Sequence, residues 1–118
     1  MTYYYAIDGD NIGRRLEHLI ITNDEAGAAR FSREVDAALL LLAHHLGMKG
    51  AAIIFAGGDN LLAKTDAWID PSYLPMHHGR LTFSLGIGRS PVTAMLALKR
   101  AKVESPGSYY LNTEESPS

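Results

Sequence analysis

The sequence predicts an α+β domain, with helices packed on one face of a mainly antiparallel sheet. Three observations predict it. Tyr3 to Asp8 is an aromatic and aliphatic run, and two stretches of helical periodicity follow it. Ala51 to Ala56 and Leu61 to Thr65 are β-rich runs on either side of a glycine-rich turn, the pattern of a hairpin. A further β-rich run and a capped helix close the order. With 118 residues and 47% hydrophobic content, the chain fits one domain with a real core.

Tyr3 to Asp8 reads as a strand that runs into the turn Asp8-Gly9-Asp10. Ile12, Leu16, Leu19 and Ile20 recur at helical spacing and predict a short amphipathic helix. Thr22-Asn23-Asp24-Glu25 interrupts it and supplies capping candidates for a second helix. There Phe31, Val35, Ala38, Leu39, Leu42 and Leu46 form one stripe, Arg30, Arg33 and Glu34 mark the wet side, and Gly47 is the stop. In the hairpin, Ile53, Ile54 and Phe55 are expected to be buried. Asp66 to Arg80 holds Asp70-Pro71, Leu74-Pro75 and His78-Gly79, so it reads as an irregular excursion. Leu81 to Gly88 is a strand. Ser90-Pro91 starts a helix to about Val103, with Val92, Met95, Leu96 and Val103 expected to face inward. Ser105-Pro106-Gly107 ends it, and Ser108 to Asn112 is expected as an edge strand. Residues 1–112 make the domain, and Thr113 to Ser118 a polar, acidic tail expected to fray. The order β-α-α-β-β-β-α-β matches a ferredoxin-like sandwich.

Composition narrows the function. Without cysteine there are no disulfides, thiolate metal sites or cysteine nucleophiles. Met1-Thr2-Tyr3-Tyr4-Tyr5 has no basic leader, and Ala37 to Ala43 is far too short an apolar run to span a bilayer. A cytoplasmic protein without direct membrane insertion is expected. A net charge of −2 and a pI near 6.2 argue against long nucleic acid as a partner. A small anion held through a metal stays compatible.

Two acidic turns carry the chemistry. In Asp8-Gly9-Asp10, residues i and i+2 of an extended chain point to the same side, so both carboxylates can converge at a strand end. Gly9 allows a tight bend that also offers a backbone carbonyl. Gly57-Gly58-Asp59-Asn60 sits at the hairpin tip, where two glycines leave no side chain in a ligand's way. Each motif alone is a common turn sequence. If the first strand neighbours the hairpin, however, Asp8, Asp10 and Asp59 meet. Two carboxylates ~4 Å apart repel by about 4 kcal/mol at an effective dielectric near 20. Such a cluster calls for a cation or for protonation. Hard oxygen ligands with no histidine in the motif favour Mg²⁺ or Mn²⁺, which take their other ligands from water and phosphates.

Asp8-Gly9-Asp10-Asn11-Ile12-Gly13 and Gly57-Gly58-Asp59-Asn60, with Phe83-Ser84-Leu85-Gly86-Ile87-Gly88 and a lysine-bearing last helix, resemble the palm superfamily. That group holds the GGDEF diguanylate cyclases and the polymerase-like subunit of type III CRISPR complexes, which carries GGDD. From Tyr3 to about Leu111 the chain is most similar to the minimal CRISPR polymerase family, a stand-alone palm. This resemblance implies a metal-dependent nucleotidyltransferase that condenses nucleoside triphosphates, ATP first among them, into a cyclic di- or oligonucleotide. It also implies a role in anti-phage signalling, with the product read by a separate effector. By motif position, Asp8, Asp10 and Asp59 are the catalytic carboxylates, and these with a carbonyl near Gly9 are the implied metal ligands. The resemblance further implies that backbone N–H groups around Asn11, Ile12 and Gly13 cradle phosphates. Gly57, Gly58, Asn60, Ser84, Lys99 and Lys102 complete the implied substrate contacts, Lys102 as a phosphate ligand. Asn60 departs from the related families, which have a second acidic residue there; its neutral oxygen is a weaker metal ligand, while Asp8 and Asp10 could still bridge a second ion. Joining two nucleotides in so small a domain is easiest in a homodimer.

Simpler assignments compete. Lysines near a helix C-terminus are favoured by the macrodipole alone. His44-His45 on a helix point about 100° apart and cannot chelate together. With His77-His78 and His18 they read as surface histidines. Tyr3, Tyr4, Tyr5, Tyr109 and Tyr110 fit strands without invoking base stacking. Gly86-Ile87-Gly88 lacks the third glycine of a dinucleotide fingerprint. A nucleotide-binding sensor without turnover and a hydrolase like archaeal GTP cyclohydrolase III are the alternative functions.

Overall fold

The computed structural model describes residues 1–112, which form six strands and three helices. The expected tail, Thr113 to Ser118, lies outside the described residues. Strand β1 (Tyr3–Gly9) leads into α1 (Ile12–Ile21) and α2 (Glu25–Met48). A hairpin follows, β2 (Ala52–Gly57) and β3 (Asn60–Thr65). A short strand β4 (His77–His78) and the long β5 (Leu81–Gly88) precede α3 (Pro91–Glu104) and β6 (Tyr109–Leu111). The sheet order is β2-β3-β1-β5-β4, with β6 parallel to β5. β1 is therefore central and antiparallel to both β3 and β5. Its register sets Asp8 opposite Asn60 on one side and Ser84 on the other.

Side chains alternate across a strand, and β1 and β5 sort accordingly. Tyr5, Ile7, Phe83, Leu85 and Ile87 join the Phe31–Leu46 stripe of α2 in the main core. Ala6 faces the other way, against Ala94 and Leu98 of α3. The expectation of helices on one face is thus corrected: α1 and α2 cover one face, and α3 the other. The cause lies in β5. Its first face carries four bulky side chains, Leu81, Phe83, Leu85 and Ile87, whereas Gly86 and Gly88 leave the second face bare. A Cβ on Gly86 would sit 2.7 Å from Leu98 Cα, and one on Gly88 would sit 2.6 Å from the Ala94 nitrogen. The helix backbone lies almost on the strand.

That close approach also corrects the expected face of α3. Ala94, Ala97, Leu98 and Ala101 are buried, while Val92, Met95, Leu96 and Val103 are exposed. The face against the glycines is mostly alanine, with Leu98 its one large side chain. On β2, Ile53, Ile54 and Phe55 are 36–50% exposed instead of buried, because β2 is the sheet edge and little covers it. Ile20 of α1 is exposed as well, unlike Ile12, Leu16 and Leu19, which pack on the core. Helix α2 runs past Gly47 to Met48 and stops before Gly50, whose φ of +95° suits glycine. At its other end the Asp24 carboxylate accepts from the Gly27 N–H at 2.8 Å.

The excursion between β3 and β5 has a packing role. A ferredoxin-like plan places a helix on this link. Here a 3₁₀ turn at Pro71–Tyr73 and the strand β4 take its place, and Ile69, Leu74 and Met76 enter the core. The Tyr5 hydroxyl ties it down, donating to the Ile69 carbonyl at 2.7 Å and accepting from its N–H at 2.9 Å. No helix among the described residues is long and apolar enough to cross a membrane.

Candidate active site

The central strand, the hairpin tip and the end of α3 meet at one corner of the sheet. The Gly9 N–H donates to the Asp59 carbonyl at 3.1 Å, locking the first motif to the second. A Cβ on Gly9 would lie 3.1 Å from the Asp59 carboxylate and would also strike Ile12, so this position needs glycine. The register sets Asp8 opposite Asn60 and so beside Asp59. Burial first, and the Asp8 carboxylate second, hold Asp59 above the ordinary carboxylate range, with Lys102 pulling the other way. A facing pair of hard oxygen donors at an open strand end suits one divalent cation that completes its shell with water and phosphate.

Asp10 behaves differently. It lies on the same side of β1 as Asp8, as the i, i+2 spacing requires, but its carboxylate is already engaged. Thr82 Oγ1 donates to Oδ2 at 2.8 Å, and Ser84 Oγ donates to Oδ1 at 2.7 Å. Lys102 Nζ stands 3.3 Å from Oδ1, and the Asp10 side chain is only 7% exposed. The same ammonium donates to the Gly9 carbonyl at 2.8 Å and lies 3.2 Å from Asp8 Oδ2. Among the described residues, no three Asp, Glu or His side chains converge as a metal-ligating group. The three-carboxylate cluster read from the sequence is therefore a pair, Asp8 and Asp59, beside an anchored Asp10–Lys102 unit.

The other candidate residues divide in the same way. Asn11 adopts a left-handed conformation (φ 57°) and starts α1 without capping it, so no side chain of its own covers the first N–H groups of that helix. Open space surrounds the Cβ positions of Gly13, Gly57 and Gly58. Asn60 is exposed and its amide donates to Asp59 Oδ1 at 3.2 Å. Ser84 is fully buried; its hydroxyl donates to Asp10 and accepts from the Gly107 N–H at 3.2 Å. That leaves it no free edge for a nucleotide. Lys99 is exposed on α3, and it is Lys102 that reaches the carboxylates. Thr82 was not singled out from sequence. Its i, i+2 relation to Ser84 on one strand was the available signal. His44 and His45 have ring centroids 6.2 Å apart with planes at 87°, unsuited to joint chelation.

Comparisons agree with this architecture. The model of the minimal CRISPR polymerase domain, mCpol, matches residues 4–110. None of the curated proteins matches the chain. Among solved structures, a diguanylate cyclase/phosphodiesterase from Caldicellulosiruptor saccharolyticus superposes with a TM-score of 0.56 at 18% identity, covering 93% of this chain and 75% of that one. This likeness establishes a shared palm fold. Both acidic turns, α3 and all of the sheet but its two end residues, Tyr3 and Leu111, fall inside the matched span, and the chain belongs to the minimal CRISPR polymerase domain family.

Proposed function

We propose that the chain is a metal-dependent nucleotidyltransferase that joins ribonucleoside triphosphates, ATP first among them, into a cyclic di- or oligonucleotide. The observation that carries it is the Asp8–Asp59 pair, two carboxylates brought side by side by the β1–β3 register, next to glycines with open space around them. Asp8 and Asp59 would hold Mg²⁺ or Mn²⁺. When bound, that ion supplies Lewis acidity at the reacting phosphoryl group and lowers the pKa of the attacking ribose hydroxyl. The N–H groups at the start of α1 point their positive dipole end at the triphosphate. Gly57 and Gly58 let it approach, and Asn60 orients Asp59. The ribose hydroxyl oxygen bonds to the α-phosphorus, the bond to the β-phosphate oxygen breaks, and pyrophosphate leaves. The hydroxyl proton passes to solvent.

Two nucleotides must meet, and a second copy of the chain supplies the second one. The unprotected β2 edge, with Ile53, Ile54 and Phe55 exposed and no charge from Gly50 to Gly58, supports that reading. A cytoplasmic setting, anti-phage signalling and a separate effector for the product belong to the same proposal through the family.

Mass spectrometry of products from all four ribonucleoside triphosphates with Mg²⁺ or Mn²⁺, beside Asp59→Ala, tests the activity. A cyclic product that vanishes in the variant is expected. Triphosphates left intact despite metal-dependent binding would make the chain a sensor. Loss of purine absorbance would make it a ring-opening hydrolase.

A further inference from the structure

The ammonium of Lys102 sits among three oxygens at the end of β1. Its three oxygen neighbours are the Gly9 carbonyl at 2.8 Å, Asp8 Oδ2 at 3.2 Å and Asp10 Oδ1 at 3.3 Å. Those three oxygens are the ones expected from sequence to share a metal with Asp59. Everything around them fixes the lysine instead. Asp10 is only 7% exposed, and Thr82 and Ser84 hold both of its oxygens. The Gly107 N–H in turn fixes the Ser84 hydroxyl. Lys102 reaches in from the last turn of α3, whose path is set by backbone contact with Gly86 and Gly88.

We infer that Lys102 is a built-in cation that occupies the second metal position, so that this palm takes a single divalent ion, between Asp8 and Asp59. Charge supports it. Three carboxylates and one ammonium leave a formal charge of −2 at the corner, which one divalent ion neutralises. Asn60 adds no negative charge to draw a second ion. Asp10 is then a positioning residue that seats the lysine. Lys102 is a fixed electrostatic partner of the site and no mobile phosphate hook.

The inference rests on reading Asp8–Asp59 as a cation site, but it is tested without any product. Binding of Mn²⁺ alone, followed by loss of the free-ion electron paramagnetic resonance signal, gives ions bound per chain. One is expected for the wild type and for Lys102→Arg, and two for Lys102→Met, which vacates the position. Two equivalent ions on the wild type would overturn the inference. So would a single ion on a Lys102→Met protein whose circular dichroism matches the wild type. If Lys102→Met does not fold, the wild type decides alone. Its Lys102 ammonium resonance in nitrogen-labelled protein, assigned by its absence from Lys102→Arg, should persist at saturating Mg²⁺. Its disappearance would mean that metal displaces the lysine. Absent product with one ion bound would refute only the synthase; product formed with two ions bound would refute only this inference.

Discussion

At Asp59 and Asp8 two carboxylates share one small volume, and without a divalent ion their repulsion opposes folding. A carboxyl whose folded pKa is raised contributes favourably below its ordinary range, and that contribution is lost as pH rises through the folded value. At neutral pH in chelator, ionised Asp59 therefore costs stability. Asp59→Asn should leave the metal-free protein as stable or more stable, by roughly 0.5–1 kcal/mol on the scale of solvent-screened pairs. It should also remove most of the stabilisation that Mg²⁺ gives the wild type. Urea unfolding with and without Mg²⁺ measures both. Tyr5 obeys the same sign at the other end of the scale. Burial pushes its hydroxyl from 10.0 up to about 12, so its contribution is intact below pH 10 and fades as pH climbs toward 12. Tyr5→Phe should cost about 1–3 kcal/mol at neutral pH, since the buried Ile69 N–H and carbonyl lose their partner. It should also flatten the alkaline part of the stability profile. Asp8, Gly9 and Asp59 were readable as residues because strand spacing and a glycine hairpin dictate where they go. The fate of Asp10 was not, because it depends on Thr82, Ser84 and Lys102, some 70–90 positions away.

Elements were legible where one stripe of bulky residues faces one core. The Phe31 to Leu46 stripe of α2 is the stripe that is buried. The same rule pointed the wrong way on α3, since its partner strand presents glycines and the buried side is mostly alanine. This close packing is testable. Gly86→Ala places a methyl against the backbone of Ala94 and Leu98, which cannot swing aside as a side chain can. It should cost about 3 kcal/mol and lower product formation by pulling Lys102 from the carboxylates. Ser90 caps α3 in a reciprocal box with Thr93, its hydroxyl accepting from the Thr93 N–H at 3.2 Å. Ser90→Ala should cost about 1 kcal/mol and leave the site intact. Comparing unfolding free energy with activity in the two variants separates helix stability from helix placement. Edge strands were the other misjudged case. Ile53, Ile54 and Phe55 have the composition of a buried strand, and nothing local says that β2 lies outermost.

For the whole molecule, topology assembles the chemistry. Placing β1 between β3 and β5 brings residues 8–10, 59 and 82–84 to one corner, and running α3 across the far face delivers Lys102 to it. Local sequence could not place α3 there; the one-face arrangement follows from element order alone, and the glycines of β5 overrule it. The open β2 edge gives a prediction at this scale. Phe55→Arg, at a half-exposed site, should change stability by less than about 0.5 kcal/mol. On the proposed dimer it should shift sedimentation from dimer to monomer and reduce cyclic product at least ten-fold. Phosphorus NMR of ATP incubated with the protein and Mg²⁺ reads the proposed attack on the α-phosphorus at the Asp8–Asp59 pair. Pyrophosphate accumulating in step with a new phosphodiester signal, and neither forming with Asp59→Ala, is the predicted result. Orthophosphate release, or a triphosphate spectrum unchanged under conditions where Mg²⁺ and ATP bind, would contradict it.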